Sequence, residues 1–260
     1  MPAAIVIPAY NEVRTIRAIA ERSLRQCGQV IVVDDGSNDG TGAALDGLGV
    51  DVLRHDQNQG KAASLWDGFQ HALASGADAV VTLDGDGQHQ PEDVSRMLLV
   101  AHEHPHRIIV AARLKGRENY PKARRRANLF ADFWISWAAG HPIADSQSGQ
   151  RLYPAALLRQ LHARHDAGAA FTFESEALIR AARLGYTTVA VPIAAIHDPA
   201  GRPSHFRPVR DIARIVAMVA GQLIATGLHP AGLWRSLRFS ARIADALPSK
   251  VEGADLSRRA

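Results

Sequence analysis

Short apolar runs that alternate with helical stretches constrain this chain more than any other feature. Residues 3–7, 29–33, 50–53, 79–83 and 107–112 have the length and β-branched content of buried strands. Between and after them, residues 14–27, 61–74, 91–104 and 121–139 carry apolar positions at helical spacing. Such alternation implies right-handed crossovers and an α/β fold with a mostly parallel sheet flanked by helices. The polar clusters that end the first, second, fourth and fifth strands then gather on one edge of the sheet, where ligands bind in open α/β folds. Tyr10, Glu12, Asp35, Asp84, Asp86 and Arg113 are expected to face one cleft there.

The most chemically loaded of these clusters is Leu83-Asp84-Gly85-Asp86-Gly87-Gln88-His89. Two carboxylates one residue apart stand where a strand ends and a helix begins at about Pro91. Carboxylate and amide oxygens are hard ligands that suit Mg²⁺ or Mn²⁺. Mg²⁺ takes only one or two protein carboxylates and completes its shell with water and phosphate oxygens. Asp84, Asp86 and the Gln88 amide match that incomplete shell. An isolated acidic pair of this kind is most often a solvated turn; convergence with the other strand ends raises it above that reading. An EF-hand starting at Asp84 is excluded, because its twelfth position is Ser95 rather than Glu.

Composition narrows the class further. The chain has 260 residues, 47% hydrophobic, enough for one large α/β domain or one domain with an appendage. Cys27 is the only cysteine, which excludes an internal disulfide and fits a reducing, cytoplasmic compartment. The N-terminus enters its first strand at once, with no basic segment or cleavable apolar segment, so no secretory signal is expected. The turn after the first strand lacks the glycine patterns of a dinucleotide-binding or P-loop domain. Residues 201–260 hold ten Lys and Arg against four Asp and Glu, while the whole chain carries only +4. A basic end on a near-neutral body points to an anionic partner. No nucleic-acid-binding motif accompanies that charge, so nucleic acid is not the expected partner.

The second half is less regular. Residues 121–139 read as a helix with a basic start and an aromatic face. Residues 148–154 read as a glycine turn into a short extended piece, residues 171–178 as the start of a helix, and residues 187–191 as a late strand. Residues 215–228 are the most apolar helical stretch, shorter than a membrane span. Residues 233–243 interleave Arg with Trp234, Leu237, Phe239 and Ile243, as an interfacial helix would. A membrane surface and a second copy of the chain, giving a homodimer, are the two partners that such a face fits. The organisation expected is a domain at 1–210, an amphipathic helical extension at 211–247 and a disordered tail at 248–260.

Four motifs occur in order: Pro8-Ala9-Tyr10-Asn11-Glu12, Val33-Asp34-Asp35-Gly36-Ser37-Asn38-Asp39-Gly40-Thr41, Asn58-Gln59-Gly60-Lys61 and Asp84-Gly85-Asp86-Gly87-Gln88-His89. Together they resemble family 2 glycosyltransferases of the GT-A fold, within which the dolichyl- or polyprenyl-phosphate mannosyltransferase branch is the most similar. The resemblance covers about residues 1–210. It implies an inverting, metal-dependent transfer of a sugar from a nucleoside diphosphate donor, GDP-mannose or a UDP-sugar, to a polyprenyl phosphate or another membrane lipid. It implies that Pro8, Tyr10, Glu12, Asp35, Lys61, Gly85 and Arg113 bind the donor, with Asp84, Asp86 and Gln88 also holding Mg²⁺ or Mn²⁺.

For an alcohol acceptor the chemistry needs a general base. Glu174 or Glu176, both at the same helix start, is the candidate base, and Asp86 is the other residue expected to be catalytic. A phosphate acceptor is already ionised, and Glu174 would then orient it. Arg151, Arg202, His205 and Arg207 are the basic residues that the resemblance assigns to the acceptor phosphate. Work at the inner, cytoplasmic face of the membrane with peripheral attachment is the expected localisation. The rivals are transfer to a non-lipid acceptor, a phosphatase using Asp84 as nucleophile and a non-catalytic nucleotide-binding scaffold. The phosphatase fits poorly, because Gln88 stands where such enzymes usually carry Thr.

Overall fold

A computed structural model describes residues 1–116, 122–161, 173–195 and 208–244. Its strands are β1 (Ala3–Ala9), β2 (Gln29–Asp34), β3 (Asp51–Arg54), β4 (Ala79–Thr82), β5 (Arg107–Lys115), β6 (Arg151–Pro154) and β7 (Thr187–Ala194). Its α-helices are α1 (Ile16–Leu24), α2 (Lys61–Ala74), α3 (Asp93–Glu103), α4 (Lys122–Ala139), α5 (Ala155–Leu158), α6 (Phe173–Arg183), α7 (Pro208–Ala225) and α8 (Pro230–Arg238).

The strands form one sheet in the order β3-β2-β1-β4-β6-β5-β7. The pairs β1–β2, β1–β4, β2–β3 and β5–β7 are parallel. Strand β6 is antiparallel to both β4 and β5. The mostly parallel sheet is therefore as expected, and the short piece after Gly149 is the strand that joins its two halves. Chain order reverses at β1, which lies between β2 and β4, so the crevice opens at the carboxyl ends of these strands.

Alternation along the strands builds two cores. Ala4 and Val6 of β1 face one side with Leu65 and Phe69 of α2, Ile135 of α4, Leu178 of α6 and Val219 and Leu223 of α7. Ile5 and Ile7 face the other with Ile16 and Ile19 of α1 and Val94 and Met97 of α3. Burial on both faces explains why these strands are continuous apolar runs rather than alternating ones.

The C-terminal region departs from expectation in one respect. The helix expected at 233–243 begins at Pro230 and ends at Arg238. Phe239 is extended, and the chain then runs beside β7: Ala190 N–H donates to Arg242 O, and Ala244 N–H donates to Ala190 O, both at 2.8 Å. The open edge of β7 offers backbone partners that a longer helix would forgo. Helices α7 and α8 pack against α4. The tail expected at 248–260 lies outside the described residues.

Candidate functional site

The loops after β1 and β2 are locked to each other. Asn11 N–H donates to Ser37 Oγ at 2.9 Å and Glu12 N–H to Thr41 Oγ1 at 2.8 Å. Asn38 N–H returns a bond to Asn11 Oδ1 at 3.0 Å. Thr15 Oγ1 donates to Gly85 O at 2.7 Å, which ties the acidic turn after β4 to the same loop. Thus Pro8, Tyr10, Glu12, Asp35, Gly85 and the acidic pair share the carboxyl edge of the sheet.

Asp35 is buried and heavily used. Its Oδ1 accepts from Gln59 N–H at 2.8 Å and meets His55 Nδ1 at 2.7 Å; its Oδ2 accepts from Gly60 N–H at 2.8 Å. The other ring nitrogen of His55 lies 3.1 Å from Asp67 Oδ2. Gly60 has φ +94°, a backbone state that glycine reaches without strain, and it starts α2 with Lys61 as the first helical residue. Asp35 therefore fixes the turn that aims Lys61.

Lys61 Nζ lies 2.6 Å from Asp84 Oδ1 and 3.3 Å from Glu174 Oε2. Burial alone would lower its pKa, but Asp84 and Glu174 outweigh burial and hold it above the ordinary lysine value. Burial likewise opposes ionisation of Asp84, yet Lys61, His89 and Arg113 hold its carboxyl below the usual range. Asp86 behaves oppositely: desolvation and the Asp84 charge raise it, although Gln88 N–H donates to its Oδ1 at 2.9 Å. Two carboxylates one residue apart are thus electrostatically distinct.

Three further residues frame the site that the sequence did not single out. His89 is buried with its Nδ1 3.8 Å from Asp84 Oδ2, and burial keeps the imidazole below its ordinary pKa. Asp145 takes Arg113 in a buried bidentate pair, Nε–Oδ2 and Nη2–Oδ1 both 2.8 Å. Gly149 lies against Asp84 so closely that an added Cβ would sit 2.3 Å from Oδ2. His89 stood inside a quoted motif and Gly149 inside the glycine turn read at 148–154, though neither was given a role; Asp145 carried no local signal.

Arg151 corrects an expectation. It is fully buried, and its guanidinium donates to Ser148 O at 2.8 Å, Ser146 O at 2.7 Å, Glu174 O at 2.5 Å and Tyr153 Oη at 3.3 Å. Those bonds place Arg151 inside the protein, where it holds the start of α6, rather than at an acceptor phosphate. Arg202, His205 and Arg207 lie outside the described residues. Of the two glutamates, Glu174 reaches Lys61, whereas Glu176 faces Arg180 of its own helix at 4.0 Å.

The residues present fit a divalent cation. Asp84, Asp86 and the Gln88 side chain offer hard oxygens on one turn, and the absence of a side chain at Gly149 leaves Asp84 its place. Among the described residues, no group of three or more His, Cys, Asp and Glu is arranged to hold a metal. With only the oxygens of Asp84, Asp86 and Gln88 on offer, a cation here would leave positions for water and for the ligand's own oxygens.

Comparison with known proteins agrees with this architecture. Residues 4–177 match the family described as glycosyl transferase family 2. The chain is 30% identical over 214 residues to the UDP-N-acetylglucosamine–dolichyl-phosphate N-acetylglucosaminyltransferase of Methanococcus voltae, covering 74% of this chain and 85% of that protein. It is 32% identical over 206 residues to the undecaprenyl-phosphate mannosyltransferase of Micrococcus luteus, covering 75% and 84%. Its fold matches the crystal structure of glucosyl-3-phosphoglycerate synthase from Mycobacterium tuberculosis in complex with Mn²⁺, UDP and phosphoglyceric acid. The TM-score is 0.58 at 22% identity, covering 86% of this chain and 77% of that one.

Proposed function

Since the chain belongs to glycosyl transferase family 2 and is a glycosyltransferase of the GT-A fold, we propose that it moves a sugar from a nucleoside diphosphate to a polyprenyl phosphate. One observation carries this reading. The acidic pair, Lys61 and Asp35 converge on one sheet edge, with three distinct electrostatic roles within reach of one ligand. The dolichyl-phosphate and undecaprenyl-phosphate acceptors named for its relatives support the lipid phosphate.

In this reading Pro8, Tyr10, Glu12 and Asp35 receive the nucleoside. Asp35 spends three hydrogen-bond acceptor positions on the protein and keeps one on Oδ2. That position suits the ring N–H of uracil or guanine, which cytosine lacks at the same edge. Lys61, Gly85 and Arg113 face the diphosphate. Asp84, Asp86 and Gln88 would hold Mg²⁺ or Mn²⁺, whose charge would stabilise the leaving diphosphate. The inverting geometry needs an acceptor oxygen on the opposite face of the sugar. A phosphate acceptor arrives ionised, so Glu174 orients it rather than removing a proton. Arg202, His205 and Arg207 are proposed to meet its phosphate.

Attachment to the membrane is proposed through α7 and α8 at the cytoplasmic face. No described helix is long and apolar enough to cross a membrane. Exposed Val216 and Ile224 on α7, and Trp234 and Leu237 on α8, form apolar surface, and the Arg238 guanidinium stacks 5.5 Å over the Trp234 ring. Apolar residues beside arginines suit an anionic interface.

The test is a thermal-shift panel with GDP, UDP, CDP and dTDP, with and without Mn²⁺, followed by transfer assays with the matching sugar and polyprenyl phosphate. Ligand at a hundred times Kd stabilises by about 2.7 kcal/mol. Stabilisation by GDP or UDP that depends on metal, with transfer abolished by Asp86→Asn, is the expected result. Stabilisation by no nucleotide in either condition would overturn the donor site.

A further inference from the structure

Lys61 bridges the acidic turn after β4 and the start of α6. Its ammonium joins Asp84 Oδ1 at 2.6 Å to Glu174 Oε2 at 3.3 Å. Its position is imposed from behind, because Asp35 holds the Gly60 amide that begins α2. The other nearby bases do not compete for this role. Arg113 is engaged by Asp145 in a bidentate pair, and His89 Nδ1 stands 3.8 Å from Asp84 Oδ2, against 2.6 Å for Lys61 from Oδ1. Lys61 is thus the cation that balances Asp84 directly.

The geometry of Asp84 leaves a metal little choice. Oδ2 lies against the Gly149 backbone and is 3.8 Å from His89 Nδ1. Oδ1 is the oxygen that Lys61 holds. A metal ligated at about 2.1 Å by that same oxygen would stand within a few Å of the ammonium, and two cations so close repel strongly unless an anion lies between them.

We propose that Lys61 is a built-in competitor of the divalent cation for Asp84, and that it releases Asp84 only when a nucleoside diphosphate supplies it with another anion. Metal and nucleotide then bind cooperatively. Because binding free energies are linked, each tightens the other by the same factor. Mg²⁺ or Mn²⁺ alone would be held poorly, so the cation would enter with, or after, the diphosphate. The Glu174 carboxylate is freed from Lys61 in the same exchange and becomes available to orient the acceptor. This inference rests on the donor site proposed above.

The test reads metal binding directly, through the electron paramagnetic resonance signal of free Mn²⁺. Titrations use the full chain, Lys61→Met, Lys61→Arg and Asp86→Asn, each alone and with saturating GDP or UDP, after circular dichroism has verified folding. The wild type is expected to bind Mn²⁺ at least about tenfold tighter with nucleotide than without. Lys61→Met should bind Mn²⁺ alone about tenfold tighter than wild type, and nucleotide should then add little. Lys61→Arg keeps the charge and should keep the coupling. Equal Mn²⁺ affinity of wild type and Lys61→Met in the absence of nucleotide would overturn the proposal. So would a wild-type affinity that nucleotide leaves unchanged, a result that needs no variant to fold. Mn²⁺ binding that is indifferent to nucleotide and to Asp86→Asn alike would overturn the donor site itself. Nucleotide-dependent binding without a Lys61 effect would leave that site standing and remove only the competition.

Discussion

Arg113 at the end of β5 and Asp145 before β6 are joined by two parallel hydrogen bonds of 2.8 Å, and the Arg113 amide donates to the same carboxylate at 2.8 Å. Both side chains are buried. Removing one partner strands the other charge away from water. Asp145→Ala is expected to destabilise the fold by about 3–5 kcal/mol, as for other broken buried pairs. Urea unfolding of the two proteins measures this, and a difference below 1 kcal/mol would contradict the buried pair.

Arg151 should behave as a structural residue and not as an acceptor contact. Its guanidinium serves the carbonyls of Ser146, Ser148 and Glu174. Arg151→Met leaves those acceptors without their donor and should cost about 3–5 kcal/mol. Arg151→Lys cannot reproduce the fork and should recover only part of it. A variant of normal stability with a selectively raised KM for lipid phosphate would refute this assignment.

Gly149 is the narrowest point beside the acidic pair. A Cβ there would meet Asp84 Oδ2 at 2.3 Å. Gly149→Ala is expected to displace the carboxylate, lowering kcat/KM by at least about tenfold. Nucleotide-free stability should change far less than in Asp145→Ala. Steady-state kinetics beside a melting curve separates the two effects.

His141 makes stability depend on pH. Burial lowers its pKa to about 4, and Thr188 N–H points at its Nε2 from 3.3 Å, a bond that needs the neutral ring. An unfolded histidine titrates near 6.5. Between pH 6.5 and 4 the unfolded chain therefore binds the extra proton, so the contribution is complete above about 6.5 and is lost as pH falls towards 4. The loss reaches about 3 kcal/mol at the acid end. Unfolding of wild type and His141→Gln across this window should show the slope reduced in the variant.

The apolar surface of α8 gives a separate expectation. Trp234 and Leu237 are exposed by 52% and 70%. The double variant Trp234→Ser, Leu237→Ser should sediment with anionic phospholipid vesicles several-fold less than wild type, with transfer to a soluble short-chain acceptor maintained. Unchanged sedimentation would instead assign this face to a second copy of the chain, which analytical ultracentrifugation would reveal.

Much of this molecule is written locally. Strand runs such as residues 79–83, the start of α2 at Lys61 and the acidic turn at Asp84 and Asp86 are legible because period, turn chemistry and glycine placement act over a few residues. That strand ends converge at one edge also follows, since parallel crossovers leave little freedom. The exact partners do not follow. Lys61 meets Glu174 across 113 residues, Arg113 meets Asp145 across 32, and Arg151 turns inward although the resemblance implied a phosphate contact. Position along the chain carries no sign of burial for an arginine, and a carboxylate does not announce which distant cation it will face. Only the packed fold, by withdrawing these groups from water and fixing their partners, decides which of them bind ligand and which hold the site together.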